Sequence, residues 1–570
     1  MSILLTALTI IAAMGAYSFY TNELKKESAF FPVTYISAVV LIMYLSGLSG
    51  SLKTGQILVY ALGFICIAKR KDHILQDIKT MLTDPVIWIF IAGSIWSFVI
   101  TRGVSPSHPD DFSHWFRICK AMNADGMLPK TPDISYVTYA PGTALWIYYF
   151  TRMTVFAPEN CFWAQSVLNL ACCLSLTGVV SKEKGKKIYI LSLAFVCLMS
   201  ALLCSANITT YALLVDGVLG LVSLSAAVMV LSGRFEPDKT DIISIVLVLS
   251  FLGLIKLSGL LLALFVAALY LLKSSYKKRF LVFSIMVILP VLLYAIYSVR
   301  ASFIYPDISG SAQAASISRW SSIIEDKSLD LTGAVIGSVI LNSIDLISGP
   351  SEVRAIWICF ITIGALAFFC KDRKLWKLLA YLAVVYAVYQ IMLTATYLFS
   401  MTPYEAIHLG EFDRYVGTVS IYFMGITGAV CIMKLSDLEG MKLTVSACVL
   451  YISVILLLVF NFGITYLLGF ERYKSSYGFS PCIWNALEDA SDANSDYTED
   501  SYAVIMDDSL FEESGLYSYF QVADIVETYF RSNDIVWIPY SYIEENPDDS
   551  DRIMNKVDHV VILGDLKIDY

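Results

Sequence analysis

Long apolar stretches recur along this chain at the spacing of helices that cross a bilayer. They fall near 3–20, 29–50, 54–69, 84–101, 161–180, 187–206, 208–232, 240–256, 258–273, 280–298, 353–371, 376–398, 415–434 and 443–469. A crossing needs about 20 predominantly apolar residues, so the pattern predicts about fourteen transmembrane helices, within a range of about 12–16. Several runs are short enough to tilt or to enter only partway. The opening "MSILLTALTIIAAMGAYSFY" lacks a basic leading region and runs into further apolar segments, which predicts a retained helix.

Beyond residue 470 the pattern changes. "YAVIM" (502–506), "DIVWI" (534–538) and "HVVIL" (559–563) are short apolar runs that read as strands. Between them, "SGLYSYFQVADIVETYFRS" and "DDSDRIMNKV" suit helices. Strand–helix–strand–helix–strand predicts a small parallel sheet, an α/β unit. It carries no Gly-rich phosphate fingerprint, so no cofactor is expected there. The one compositionally biased segment is the acidic "EDASDANSDYTED" (488–500), and no internal repeat stands out.

Composition agrees with the periodicity. The chain has 570 residues, 57% of them hydrophobic and 16% charged, with mean hydropathy +0.66. The net charge of −9 hides two opposed parts. Residues 471–570 hold 22 Asp and Glu against 6 Lys and Arg, whereas the preceding 470 hold 27 against 34. A slightly basic membrane body therefore carries an acidic tail, and neither part suits nucleic-acid binding. The 12 cysteines are scattered, several of them inside apolar runs (Cys66, Cys172, Cys173, Cys197, Cys204), with no CxxC pair. Buried thiols are the expectation.

Basic residues in short loops orient a polytopic protein. "ELKKES" (23–28), "KRKDH" (69–73), "SKEKGKK" (181–187), "KSSYKKR" (273–279) and "KDRKLWK" (371–377) fall on one side if 139–156 does not cross. That side is then cytoplasmic. The opposite, extracytoplasmic side receives 102–160, the hinge at 256, the segment 299–352, 399–414 and the tail. The stretch 139–156 becomes an interfacial or re-entrant helix. The "NIT" sequon (207–209) lies too close to an apolar run to carry weight.

Ionisable groups at membrane depth are costly and usually face an interior cavity. Asp110 and Asp111 lie in the first large outer loop, and Asp216 is expected about two turns into a helix entering from that side. Lys256 occupies the outer hairpin "GLIKLSGLL", and Arg414 in "HLGEFDRYVG" precedes another apolar run. All five are thus expected at one face. A carboxylate there can take a proton from an attacking hydroxyl. Lys and Arg can hold a phosphate leaving group, Arg through two oxygens at once. Sugars carried on polyprenyl lipids are an abundant phosphorylated donor at an outer membrane face, so sugar transfer from such a lipid to a hydroxyl is the expected reaction.

The pattern resembles the C-type (GT-C) integral-membrane glycosyltransferases, in particular bacterial polyprenyl-phosphate-sugar-dependent members. "DDFSHW" (110–115) is similar to the acidic motif opening their first outer loop, where relatives commonly carry Asp-Glu. "YAPGTALW" (139–146) resembles a "YPPG"-like stretch, with Ala140 in place of the first proline. "VDG" (215–217), "KLSG" (256–259) and "FDRY" (412–415) resemble further polar positions of the family, so the likeness spans roughly 110–415.

The resemblance implies an α-helical polytopic membrane fold with a GT-C-like core and a small C-terminal extracytoplasmic α/β domain. Additional helices would fill 1–83, the catalytic domain 84–470 with its outer loop 102–160, and the acidic domain 471–570. It implies an inverting transfer in cell-envelope polysaccharide assembly, from a polyprenyl-(pyro)phosphate-linked donor to a glycan or other hydroxyl acceptor. Asp110 or Asp111 would be the general base, the first acid being the one that stays Asp in the motif. Lys256 and Arg414 would bind donor phosphate; His114, Trp115, Tyr139, Asp216 and Tyr415 would support the site or touch substrate.

His108 and His114 bracket the aspartates. If this stretch is α-helical, Asp110 and His114 share a face and a divalent metal has a place to bind. The lack of further ligands argues for no metal, and many relatives need none. Trp115, Tyr139 and Trp146 are either sugar-stacking platforms or membrane-interface anchors. Three alternatives to a transferase are a lipid-linked oligosaccharide polymerase or ligase, a transporter or flippase of lipid-linked sugars, and a non-enzymatic membrane scaffold whose acidic tail binds partners. A transporter would place charges near the midplane and show duplicated halves.

Overall fold

The computed structural model describes residues 2–104, 106, 108–130, 134, 136–180, 186–206, 210–233, 238–305, 323–324, 327–438, 440–459, 483, 487, 501–511, 522–523, 525–526, 528–530 and 535–563. The sequon 207–209, the acidic segment 488–500 and much of the stretch expected to form the first tail helix lie outside these residues.

The chain is an α-helical polytopic membrane protein with a small C-terminal sheet. Among the described residues, nine helices are long and apolar enough to cross a bilayer, or ten if the bent pair Lys71–Leu82 and Pro85–Thr101 is one span. Shorter helices at Asp216–Ser232, Lys239–Gly253, Ser258–Lys273 and Gly440–Leu457 occupy the remaining predicted stretches. Helix starts follow local chemistry. Proline takes the first turn at Pro85 and Pro158, where its missing N–H is not needed. Asp238 and Asp241 form a reciprocal capping box at the start of Lys239–Gly253.

Three expectations need correction. Of the two alternatives for 139–156 the interfacial one falls: Gly142–Thr151 is a ten-residue helix whose every residue is buried inside the bundle. The predicted outer segment 299–352 contains a further helix, Leu329–Ile344. Lys327 at its start donates to the Leu398 and Met401 carbonyls, while Ser343 near its end accepts from Tyr386 halfway along Arg373–Phe399. Asp216 is the first residue of its helix, not two turns in, because 213–215 stays extended or bent and Leu213 gives its N–H to Asp111.

Ion pairs show how the loops sort. At one end of the bundle Lys26 holds Asp238 and Asp241, each at 2.6 Å; Arg70 holds Asp77 at 2.6 Å; and Lys434 holds Asp372 at 2.7 Å. The predicted basic loops 23–28, 69–73 and 371–377 lie here. At the opposite end Arg102 pairs with Glu159, Lys256 with Asp216 and Arg414 with Asp110.

The centre of the bundle is the pair Asp216–Ser232 and Phe412–Leu435, both almost wholly buried. A Cβ on Gly220 would sit 2.6 Å from the Thr418 carbonyl, so glycine is what lets these helices touch backbone to backbone. Thr418 Oγ1 donates to the Asp216 carbonyl at 3.0 Å across the same contact. Close approach there brings the helix starts, and with them Asp216 and Arg414, to one place. Outer helices present exposed Ile288, Ile361, Val384 and Ile391, an apolar surface suited to lipid.

In the tail, β1 (Tyr502–Met506), β2 (Ile535–Pro539) and β3 (His559–Ile562) form the predicted parallel sheet, in the order β2–β1–β3. β1 is buried along its whole length, as a central parallel strand should be. Pro547–Met554 supplies the helix before β3.

Candidate active site

A turn early in the loop that follows Pro85–Thr101 carries the paired aspartates. His108 organises it: its Nδ1 accepts the Asp110 N–H at 3.1 Å and its carbonyl the Asp111 N–H at 3.0 Å. An accepting Nδ1 requires a neutral ring, and burial pushes His108 down to about 4. Asp111–Trp115 is a wide π-helical turn, closed by the Phe116 N–H on the Asp111 carbonyl. The α-helical spacing expected for Asp110 and His114 is therefore not formed. π turns recur at functional sites because they aim side chains that an α-helix could not.

The two aspartates part company. Asp111 is fully buried, its Oδ1 accepting the Leu213 N–H at 2.8 Å while Oδ2 has no partner among the described residues. Burial raises its carboxyl well above the usual range, and the Leu213 bond offsets only part of that. Asp110 keeps a quarter of its side chain exposed and reaches Arg414 Nη1 with Oδ2 at 2.9 Å. Burial opposes its charge too, but the cations Arg414 and Lys256 help offset this, and the carboxyl lies below the usual range.

Arg414 continues the chain of charges. Its Nε lies 3.2 Å from Asp216 Oδ2, off the N–H direction, so the contact is an ion pair more than a hydrogen bond. Lys256 Nζ donates to Asp216 Oδ1 at 3.2 Å. Glu411 stands 3.6 Å from Arg414 Nη1. The order Asp110–Arg414–Asp216–Lys256 alternates in sign, which is how buried charges are tolerated. All four residues come from separate elements. The segment before Arg414 is wound tightly, with Leu409 at φ 49° and Glu411 at φ 59°, conformations non-glycine residues seldom adopt.

"YAPG" is tied to this cluster. The Gly142 N–H donates to the Leu254 carbonyl at 2.7 Å, two residues before Lys256. A Cβ at Gly142 would meet that carbonyl oxygen at 2.5 Å, so glycine is needed for the approach.

Aromatic side chains wall the cluster. Tyr139 stacks on Trp115 at 5.6 Å and on Tyr136 at 5.5 Å, and His114 meets the Tyr136 edge at 5.0 Å. Lys256 Nζ lies over Tyr415 at 5.4 Å and over Tyr139 at 6.0 Å. Burial pushes His114 down to about 3, and its Nδ1 pairs with Ser113 Oγ at 2.8 Å. Trp146 is elsewhere: buried, with Nε1 donating to the Ala164 carbonyl at 2.7 Å, it is neither platform nor interface anchor.

The structure thus brings together Asp110, Asp216, Lys256 and Arg414, with His114, Trp115, Tyr139 and Tyr415 around them, and sets Asp111 and Trp146 apart. It adds residues the sequence reading did not single out. Tyr136, at φ 54°, faces His114 and Tyr139. Glu411 and Thr418 touch Arg414 and Asp216, and Tyr297 fixes the loop by donating to the Val137 carbonyl at 3.1 Å. Among the described residues, no three His, Cys, Asp or Glu side chains gather as a metal site.

No family model matches the chain, and no curated protein matches it significantly. Among solved structures it is similar to the Archaeoglobus fulgidus oligosaccharyltransferase, determined as a complex with Zn and sulfate. Sequence identity is 10% and the TM-score 0.39; the match covers 79% of this chain and 62% of that one. The chain therefore spans less than two thirds of that protein's length.

Proposed function

We propose that this chain is a membrane glycosyltransferase, moving a sugar from a polyprenyl-(pyro)phosphate-linked donor to a hydroxyl acceptor at the membrane end where Asp110 lies. The observation that carries this reading is the alternating chain Asp110–Arg414–Asp216–Lys256 beneath an aromatic wall. It pairs an ionised, partly exposed carboxylate with two cations whose present partners are carboxylates.

In this reading Asp110 is the general base and Asp111 a structural anchor. Donor phosphate approaches Arg414 and Lys256 as another anion, competing with Asp110 for the guanidinium. As Arg414 turns to phosphate, Asp110 loses its strongest cationic neighbour and becomes a better base for the acceptor hydroxyl. Asp216 keeps both cations in place and compensated until the donor arrives. The departing phosphate is left on Arg414 and Lys256, where its developing charge is met by charge-assisted bonds. Attack opposite the leaving phosphate gives inversion. Half-buried Tyr136, backed by the Tyr139–Trp115 stack, offers a flat face for a sugar ring.

The test is reconstitution of the full chain in vesicles with a radiolabelled polyprenyl-phosphate sugar and a panel of hydroxyl acceptors. Label appearing on an acceptor with release of lipid phosphate supports transfer. Label crossing the bilayer while still on its lipid would instead make the protein a transporter.

A further inference from the structure

Phe112 follows the two aspartates directly, yet it packs neither with the membrane core nor with the charge cluster. It is fully buried and belongs to the apolar core of the C-terminal sheet, the cluster that also holds Tyr502, Val504, Ile525 and Val526. Among the described residues, it is the one member of that core from outside 483–563. Its carbonyl accepts from Thr528 Oγ1 at 3.3 Å. Three consecutive residues are therefore held by three bodies: Asp110 by Arg414, Asp111 by the Leu213 N–H, and Phe112 by the tail. The wide Asp111–Trp115 turn is what lets them diverge.

We infer that Phe112 is a positioning residue through which the C-terminal α/β unit fixes the Asp110 turn. The acidic tail is then part of the catalytic apparatus rather than an appendage. The contact itself stands on geometry alone; its effect on transfer rests on the glycosyltransferase reading above. A large aromatic ring in a foreign core fixes its backbone far better than a surface contact does, because removing it leaves a cavity on the tail's side. Misplacing a reacting group by about 1 Å can cost about a hundredfold in rate.

The experiment uses the full chain in lipid–detergent micelles, with Phe112→Ala, Phe112→Leu, Val526→Ala and the Phe112→Ala/Val526→Ala pair. Thr528→Val, which deletes one hydroxyl, probes the same contact where Phe112→Ala does not fold. Amide exchange by mass spectrometry should rise together in peptides covering 111–116, 210–216 and 502–506 for Phe112→Ala, and stay near wild type for Phe112→Leu. Unchanged exchange at 502–506 would overturn the coupling, whatever reaction the protein catalyses. In transfer assays Phe112→Ala should lower kcat by about a hundredfold, with donor KM within about twofold and most activity restored by Phe112→Leu. The double variant should lose little beyond Phe112→Ala, since both substitutions loosen the same small core and couple through it. Wild-type kcat in Phe112→Ala, or multiplicative losses in the double variant, would remove Phe112 from a positioning role. Failure of the transferase reading itself would show as no transfer by the wild-type chain, leaving the exchange result to decide the contact.

Discussion

Asp216 and Arg414 stand 3.2 Å apart at the adjoining starts of the two central helices, and Asp216 holds Lys256 with its other oxygen. One nearly buried carboxylate compensates two cations. Asp216→Asn leaves both with less negative charge than they need, and breaking a buried pair costs about 3–5 kcal/mol. The variant should show a clearly lower thermal midpoint, partly restored by millimolar inorganic pyrophosphate, which replaces the missing charge. A midpoint equal to wild type would mean the cations are solvated and the cluster is no buried network.

Arg414 reaches Asp110 through Nη1 and Asp216 through Nε, a planar, divergent geometry that lysine's single ammonium does not reproduce. Arg414→Lys should therefore behave much like Arg414→Ala in donor use. Each should lose roughly ten- to a hundredfold in kcat/KM for the lipid donor, the size of a lost charge-assisted bond of roughly 1.5–3 kcal/mol. Lys256→Ala should mainly raise donor KM. Steady-state kinetics with varied donor at fixed acceptor separates these, and unaltered donor kinetics in all three would take both cations out of the site.

The pH dependence has a fixed sign. The Asp110 carboxyl lies below its usual value, so the base is ionised, and its pairing with Arg414 intact, at neutral pH. Both are lost as pH falls through that lowered value. The acid limb of kcat/KM should lie below about 4, the ordinary carboxylate range, and Arg414→Gln should move it upward. His114 is pushed down to about 3 and stays neutral from about pH 5 to 8. A limb near 6.5 that disappears in His114→Gln would contradict this assignment.

Gly142→Ala tests how the "YAPG" stretch supports Lys256. The new methyl group would sit 2.5 Å from the Leu254 oxygen and 2.8 Å from its carbonyl carbon, both backbone atoms that cannot rotate away. Overpacking of this kind costs roughly 1–3 kcal/mol. A lowered thermal midpoint and a raised donor KM are expected together, because the displaced backbone carries Lys256.

Much of this molecule was legible from the chain. Apolar runs of spanning length mark helices because backbone polar groups in lipid must be satisfied internally. The meeting of Asp110, Asp216, Lys256 and Arg414 was readable because charges beside apolar runs have few tolerable places. Telling Asp110 from Asp111 was not. Adjacent identical residues differ only through the π turn and the Leu213 N–H, neither of which leaves a sequence signal. Phe112 was equally silent, since an apolar residue beside a charged pair does not announce a partner hundreds of residues away. Tyr136 had a faint signal, as a second tyrosine just ahead of "YAPG". The helix Leu329–Ile344 was hidden by its composition, since Asp330, Thr332, Ser338 and Asn342 interrupt its apolar residues.

The most direct test compares Asp110→Asn with Asp111→Asn in membranes supplied with a radiolabelled polyprenyl-phosphate sugar. Asparagine keeps the shape of each side chain, and at 111 it still accepts the Leu213 N–H. Asp110→Asn should lose about 10²–10⁴ in transfer, the usual share of a general base, at normal expression. Asp111→Asn should remain within about tenfold of wild type, since its carboxyl is already held towards the neutral form. Wild-type transfer by Asp110→Asn, or loss confined to Asp111→Asn, would contradict the assignment of Asp110 as the base.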